Sequence, residues 1–201
     1  MAPRDGRCKV NMKDISLIGF MGCGKSSVGK ILATLLPECR LIDLDTYIEE
    51  KQGKNIPEIF NEYGEAAFRR MEREALEEIF SDKSRPRAIL SLGGGTVTSE
   101  QCRQLIRQHT DCFYLRATTD TLLDNLEGHS DGRPMLNPTQ PVEAQSTETS
   151  SEREALRYRI ESLMQTRSPQ YIATAHHIID IDGLSFTQIA EAVEDNILNI
   201  K

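Results

Sequence analysis

Residues 15–32 read ISLIGFMGCGKSSVGKIL. The β-forming run Ile15 to Ile18 leads into a glycine-punctuated turn, after which Val28, Ile31, Leu32, Leu35 and Leu36 recur at helical spacing. Strand, loop and helix in that order are what a phosphate-binding loop requires, and Gly19 to Ser26 matches GxxxxGK[ST] at the right place. Glycines let the backbone curl so that successive N–H groups and the helix N-terminus point at a β-phosphate. Lys25 is then expected to bridge the β and γ oxygens, and Ser26 to ligate Mg²⁺.

Outward from this loop the same alternation continues. Short strands are predicted around Leu41 to Leu44, Ala88 to Leu92, Cys112 to Leu115 and His177 to Ile181. Helical patterns separate them, including Glu65 to Phe80, where Phe68, Met71, Ala75, Leu76 and Ile79 share one face. Strands alternating with helices predict an α/β fold, a parallel five-stranded sheet flanked by helices. Residues 127–151 turn polar and rich in Gly, Pro, Ser and Thr, a length of loop that suits a mobile lid or a disordered segment. With 201 residues and no internal repeat, one domain over 1–201 is expected.

Bulk composition narrows the function classes. A net charge of −7 disfavours nucleic acid as a partner while leaving small anions possible through local basic pockets. Five cysteines without a CxxC pair suggest neither a disulfide framework nor a zinc knuckle, which fits a reducing cytoplasm. No apolar signal core and no run of about 18 apolar residues is found, so neither secretion nor membrane insertion is expected. His176-His177 lacks further ligands at suitable spacing for a metal.

Asp43-Leu-Asp45 falls at the end of the second predicted strand, where a period of two puts both carboxylates on one side. There one acid can reach the metal shell and the other an incoming hydroxyl. Gly93, Gly94 and Gly95 end another strand, and a backbone without side chains lets a substrate ring approach closely. Arg69, at the edge of an apolar helical stripe, either snorkels outward or reaches into the cleft. The rest of the charged mix from Arg69 to Glu78 reads as a solvated helix face. Arg133, in the polar segment, is either an ordinary loop arginine or one that closes over phosphates. Arg167 follows a helical run from Glu152 to Thr166, which Pro169 is expected to break, so the arginine either points sideways into a site or is an ordinary residue after a helix end.

Taken in order, GFMGCGKSS, DLD, GEAAFRRME, LSLGGG, GRPML and RSPQY resemble the shikimate kinase family over nearly the whole chain. That resemblance implies a P-loop NTPase fold related to the nucleoside monophosphate kinases, with a lid about residues 127–151. It implies transfer of the γ-phosphoryl of ATP to the 3-hydroxyl of shikimate, with Mg²⁺, by a cytoplasmic monomer. Gly22, Cys23, Gly24, Lys25, Ser26 and Ser27 would hold ATP, with Arg133 descending onto its phosphates. Asp43 would support the metal beside Ser26, and Asp45 would orient the attacking hydroxyl. Arg69 and Arg167 would clamp the shikimate carboxylate while Gly93, Gly94 and Gly95 line the ring, a pairing that suits guanidinium and carboxylate geometry. Family members often carry a basic residue near the adenine where this chain has Asn125 and Leu126. Rival readings are another metabolite kinase, such as a gluconate or nucleoside monophosphate kinase, or a non-catalytic nucleotide binder. A guanine-reading NKxD motif with a DxxG switch is absent from the sequence. Cys23 lies within the loop, and its alkylation is expected to block ATP binding.

Overall fold

Strand β1 (Asp14–Ile18) is buried along its whole length, as a central strand covered on both faces must be. Four further strands run parallel to it: β2 (Arg40–Asp43), β3 (Ala88–Ser91), β4 (Thr110–Arg116) and β5 (His177–Asp180), in the order β2-β3-β1-β4-β5. The computed structural model describes residues 13–126 and 150–199. Seven helices are formed among them: α1 (Lys25–Leu35), α2 (Leu44–Gln52), α3 (Ile56–Ser81), α4 (Glu100–His109), α5 (Thr119–Leu126), α6 (Ser150–Thr174) and α7 (Phe186–Asn199). The expected α/β architecture with a five-stranded parallel sheet is therefore the one observed.

Alternation along the strands divides the core in two. Ile15, Leu17, Phe113 and Leu115 pack with Val28 and Leu32 of α1 and Ile189 and Val193 of α7. On the other face Ile18, Leu90 and Tyr114 pack with Ile48 of α2, Leu76 of α3, Ile106 of α4 and Tyr171 of α6. A hydrogen bond between Ser16 and Thr110 hydroxyls, 2.7 Å long, satisfies the buried polar pair between β1 and β4. Because the path leaves β1 for β2, returns through β3 and then crosses to β4, the order reverses between β1 and β3. That is where an open parallel sheet leaves a ligand crevice above its carboxyl ends. Leu17 and Asp43 both pair with Ser91, so β1, β2 and β3 end level with one another.

Three boundaries differ from expectation. Leu44 opens α2 instead of ending β2, because the Asp43 side chain accepts from the Thr46 N–H and caps the helix there. Helix α3 begins at Ile56 behind a reciprocal Asn55 and Glu58 capping box, and Gly64, at φ 75° and ψ 170°, kinks it. Pro169 does not end α6, which continues to Thr174. A proline there removes one helical N–H donor, but Tyr171 beyond it is fully buried, stacks on Tyr114 at 4.9 Å and donates to the Gly94 carbonyl. That packing holds the last turn in place.

Leu32 is 0% exposed between α1 and the sheet. Leu32→Ala is expected to lower the unfolding free energy by about 2–5 kcal/mol in urea denaturation with an unchanged slope. A loss under about 1 kcal/mol would mean that this helix does not rest on the sheet as described.

Candidate active site

The loop between β1 and α1 is shaped by left-handed glycines, with φ of 83° at Gly22 and 87° at Gly24, conformations that side chains with a Cβ rarely adopt. Lys25, 8% exposed, donates to the carbonyls of Gly19 (2.9 Å) and Phe20 (3.0 Å), which pins its ammonium at the centre of the loop. A crevice of about 600 Å³ opens above it. Gly22, Gly24, Lys25, Ser26 and Ser27 line its floor, and Asp43, Asp45, Gly93 and Gly94 line the side toward β2 and β3.

Cys23 sits in the loop but does not open onto the crevice. Its side chain is fully buried beneath the loop, with its sulfur 3.7 Å from the Lys25 ammonium, and it does not line the crevice. A Cβ added at Gly19 would meet that sulfur at 2.8 Å, so the thiol fills space that the loop's own curl creates. It is therefore shielded from reagents in the folded chain, so the expected block by alkylation applies only where a reagent reaches it.

Asp43 and Asp45 do converge, but not through strand alternation. Asp43 ends β2, whereas Asp45 is the second residue of α2, and it is the tight turn of the chain from strand into helix that carries Asp45 to the crevice. Ser26 donates to Asp43 at 2.7 Å and lies 3.2 Å from the Ser91 hydroxyl. A hydroxyl and a carboxylate side by side at the foot of an open crevice are the donor set that Mg²⁺ takes when phosphates and waters complete its shell. Burial pushes the Asp45 carboxyl up to about 7, with Glu72 and Asp43 adding to the rise and Lys25 opposing it.

A second chamber of about 330 Å³ adjoins the first. Met21, Asp45, Gly93 and Gly94 line both, so Asp45 stands on the wall they share. Ile56, Pro57, Phe60 and Phe68 give the chamber an apolar side, while Arg69 and Arg167 supply positive charge. Both arginines thus turn into the cleft. Arg69 lies against Gly95, where an added Cβ would meet its Nη2 and push the guanidinium aside. Arg167 is 4% exposed, and its Nη1 is a buried donor without a hydrogen-bond partner among the described residues. A buried guanidinium nitrogen left unsatisfied in a cavity wall is suited to receive an acceptor. Arg133 and the 127–151 segment lie outside the described residues, apart from the first two residues of α6.

Sequence reasoning missed three residues here. Glu72, assigned above to a solvated face, is fully buried; it accepts from Arg69 Nη1 at 2.6 Å and from the Thr96 hydroxyl. Burial drives its carboxyl up from the usual range against the lowering influence of Arg69 and Thr96. The signal was present as the i,i+3 spacing within FRRME. Phe186, at the start of α7, is 42% exposed, lines the crevice and packs on Gly24. Ser91 had no signal, since its role depends on pairing between strands. Asn125, which stands where a basic residue was expected, donates to the Gly22 carbonyl at 2.9 Å, and Leu126 packs against the same glycine.

Comparison with known proteins agrees with this geometry. The family model described as shikimate kinase matches residues 21–197. A shikimate kinase of Thermus thermophilus is 34% identical over 183 residues, 91% of this chain and 89% of that protein. That of Chlorobaculum tepidum is 40% identical over 158 residues, 79% of this chain and 76% of the relative. Among solved structures, shikimate kinase from Acinetobacter baumannii in complex with shikimate aligns with a TM-score of 0.77 at 30% identity, covering 94% of this chain and 96% of the other. The Bacteroides thetaiotaomicron enzyme gives 0.77 at 28% identity, with 93% and 99% covered. A phosphate loop joined to a chamber with two inward arginines, and similarity that runs through both, lead to one conclusion: this chain belongs to the shikimate kinase family.

Proposed function

We propose that this chain transfers the γ-phosphoryl of ATP to the 3-hydroxyl of shikimate, the phosphorylation step of the shikimate pathway of aromatic amino-acid biosynthesis. The observation that carries this reading is the position of Asp45 on the common wall of the phosphate-loop crevice and the arginine chamber. A nucleotide on one side and a ring-borne hydroxyl on the other would meet at that carboxylate. The reaction is then in-line transfer, in which positioning and electrostatics supply most of the acceleration.

In this reading backbone N–H groups of Gly22, Gly24 and their neighbours hold the phosphates, and Lys25 turns from its loop carbonyls toward the β and γ oxygens. Ser26 and Asp43 are the residues that would hold Mg²⁺, which when bound neutralises charge on the phosphate oxygens. Phe186 offers an aromatic face to the nucleotide base. Across the wall, Arg167 and Arg69 receive the shikimate carboxylate, and Gly93 to Gly95 lie against the ring. Asp45, whose carboxyl is pushed up to about 7 by burial, accepts the hydroxyl proton or aligns the hydroxyl. Arg133 adds positive charge at the phosphates, a role that rests on resemblance alone. One kinase domain over 1–201, acting as a cytoplasmic monomer, belongs to the same proposal; no helix among the described residues is long and apolar enough to cross a membrane.

ADP release measured against shikimate, gluconate and nucleoside monophosphates tests the assignment; turnover dependent on shikimate alone is expected. Asp45→Asn should cut kcat by about a hundredfold or more, about 3 kcal/mol of transition-state stabilisation, while ATP titration still shows binding. Near-normal turnover would remove Asp45 from the chemistry. The same variant has a stability signature. A folded-state carboxyl raised from 3.8 to about 7 loses stability as pH climbs through that window, because the ionised form is disfavoured in the fold. Asp45→Asn should therefore be more stable than the parent at pH 8, by something on the order of 2 kcal/mol once solvent access through the crevice is allowed for, and the gap should shrink toward pH 5. Equal stability at both pH values would contradict the burial of this group. Phe186→Ala should raise KM for ATP by roughly fivefold, equivalent to about 1 kcal/mol of lost stacking; an unchanged KM would take the base elsewhere.

A further inference from the structure

Arg69 and Arg167 face the same chamber in opposite states. Arg167 keeps a donor without an acceptor among the described residues, whereas Arg69 is already engaged by two carboxylates of its own helix. Glu72 takes Nη1 at 2.6 Å from a fully buried position. Glu65 takes the opposite edge: one of its oxygens accepts from Nη2 at 2.9 Å and from Nε at 3.3 Å. The Nε and Nη2 edge is one on which a guanidinium receives a carboxylate through two parallel bonds. Gly95 presses on Arg69 beside Nη2, so the guanidinium is hemmed in on that side.

The two acids differ in how firmly they are held. Glu72 cannot leave without stranding a charge in the core. Glu65 is 50% exposed at its side chain, and it follows Gly64, whose φ of 75° and ψ of 170° interrupt α3. A Cβ added at Gly64 would find nothing within 4 Å, so the chain at the break is not packed against a neighbour. Releasing Glu65 costs one partly exposed ion pair and returns its carboxylate to water.

We propose that Glu65 is an internal competitor for Arg69, a stand-in for the acceptor's carboxylate that must be displaced before Arg69 can join Arg167 on the substrate. The inference rests on the reading of the acceptor as a carboxylic acid given above. While Glu65 stays, two carboxylates on one guanidinium leave it no spare positive charge for a third. Displacement exchanges one carboxylate for another on the same edge, so an acid can drive it and an uncharged ring alcohol cannot. Glu65 thus lowers affinity for the substrate and sharpens selection for an acid. It is a specificity-determining residue without contact with the reacting atoms.

Glu65→Gln and Glu65→Ala in the full chain, assayed beside the parent, test this. KM for shikimate should fall roughly threefold to fivefold in both variants, the scale of one partly exposed ion pair. The dissociation constant for shikimate, measured by calorimetry without nucleotide, should fall by the same factor, while kcat holds. A Glu65 that instead braces Arg69 for binding would give a higher KM in both variants, and an unchanged KM would show that its contact carries no cost; either result overturns the proposal. Parent protein that turns over no shikimate would overturn the acceptor assignment itself, a failure visible before any variant is compared.

Discussion

The carboxylate of Asp43 ties the site together. One oxygen caps α2 through the Thr46 N–H, and the other accepts the Ser26 hydroxyl at 2.7 Å. A single side chain therefore fixes where the second helix starts and how the phosphate loop's helix sits against it. Both consequences matter for Asp45, which follows two residues later and owes its position to that helix start. The pairing of Asp43 and Leu17 with the same residue, Ser91, supplies the frame, because it keeps three strand ends level. Shift that register by one residue and every side chain at the crevice would change faces.

Charge in the site is arranged against its own comfort. Asp45 and Glu72 are acids held close enough for Glu72 to raise Asp45, and burial raises both. Such groups are costly to the fold and persist where surrounding contacts over-determine them. Here the contacts are specific: Thr96 and Arg69 on Glu72, and the capped turn beneath Asp45. The gain is a carboxyl near neutrality beside a lysine-centred loop, which is the condition that proton transfer to a carboxylate at ordinary pH requires.

Much of this was legible from the sequence, for reasons that differ by residue. The central strands β1, β3 and β4 were visible as short apolar runs because a parallel sheet buries both their faces, the edge strands β2 and β5 are partly exposed, and all five limits shifted by no more than a few residues. The loop of Gly19 to Ser26 was legible because its chemistry is local: glycines, a lysine and a hydroxyl in fixed order. Asp43 and Asp45 were placed on the right side by a wrong geometric argument, since a cap switched the chain from strand to helix between them. Pro169 misled because proline's effect on a helix was weighed without Tyr171, whose stacking on Tyr114 joins it to a strand far away in sequence. Glu72 hid within a run of charges whose average is solvated; its spacing from Arg69 was visible, but its burial follows from the fold.

Division of labour between the two chambers follows from where their walls come from. The phosphate crevice is built on strand ends and the loop between β1 and α1, elements whose positions are fixed by the sheet's own hydrogen bonds. The arginine chamber draws on α2 and α3, on Arg167 of α6, on Met21 and on the three glycines after β3, and its helices are held by side-chain packing, with Gly64 in α3 and Pro169 in α6. On the proposed reading, acceptor recognition would rest largely on helices packed through side chains and phosphate handling on strand ends and their loop, with Met21, Asp45, Gly93 and Gly94 common to both. On the same reading a change of acceptor would involve the side chains of α3 and α6 and the glycines after β3, whereas a change to Asp43 would disturb both chambers at once.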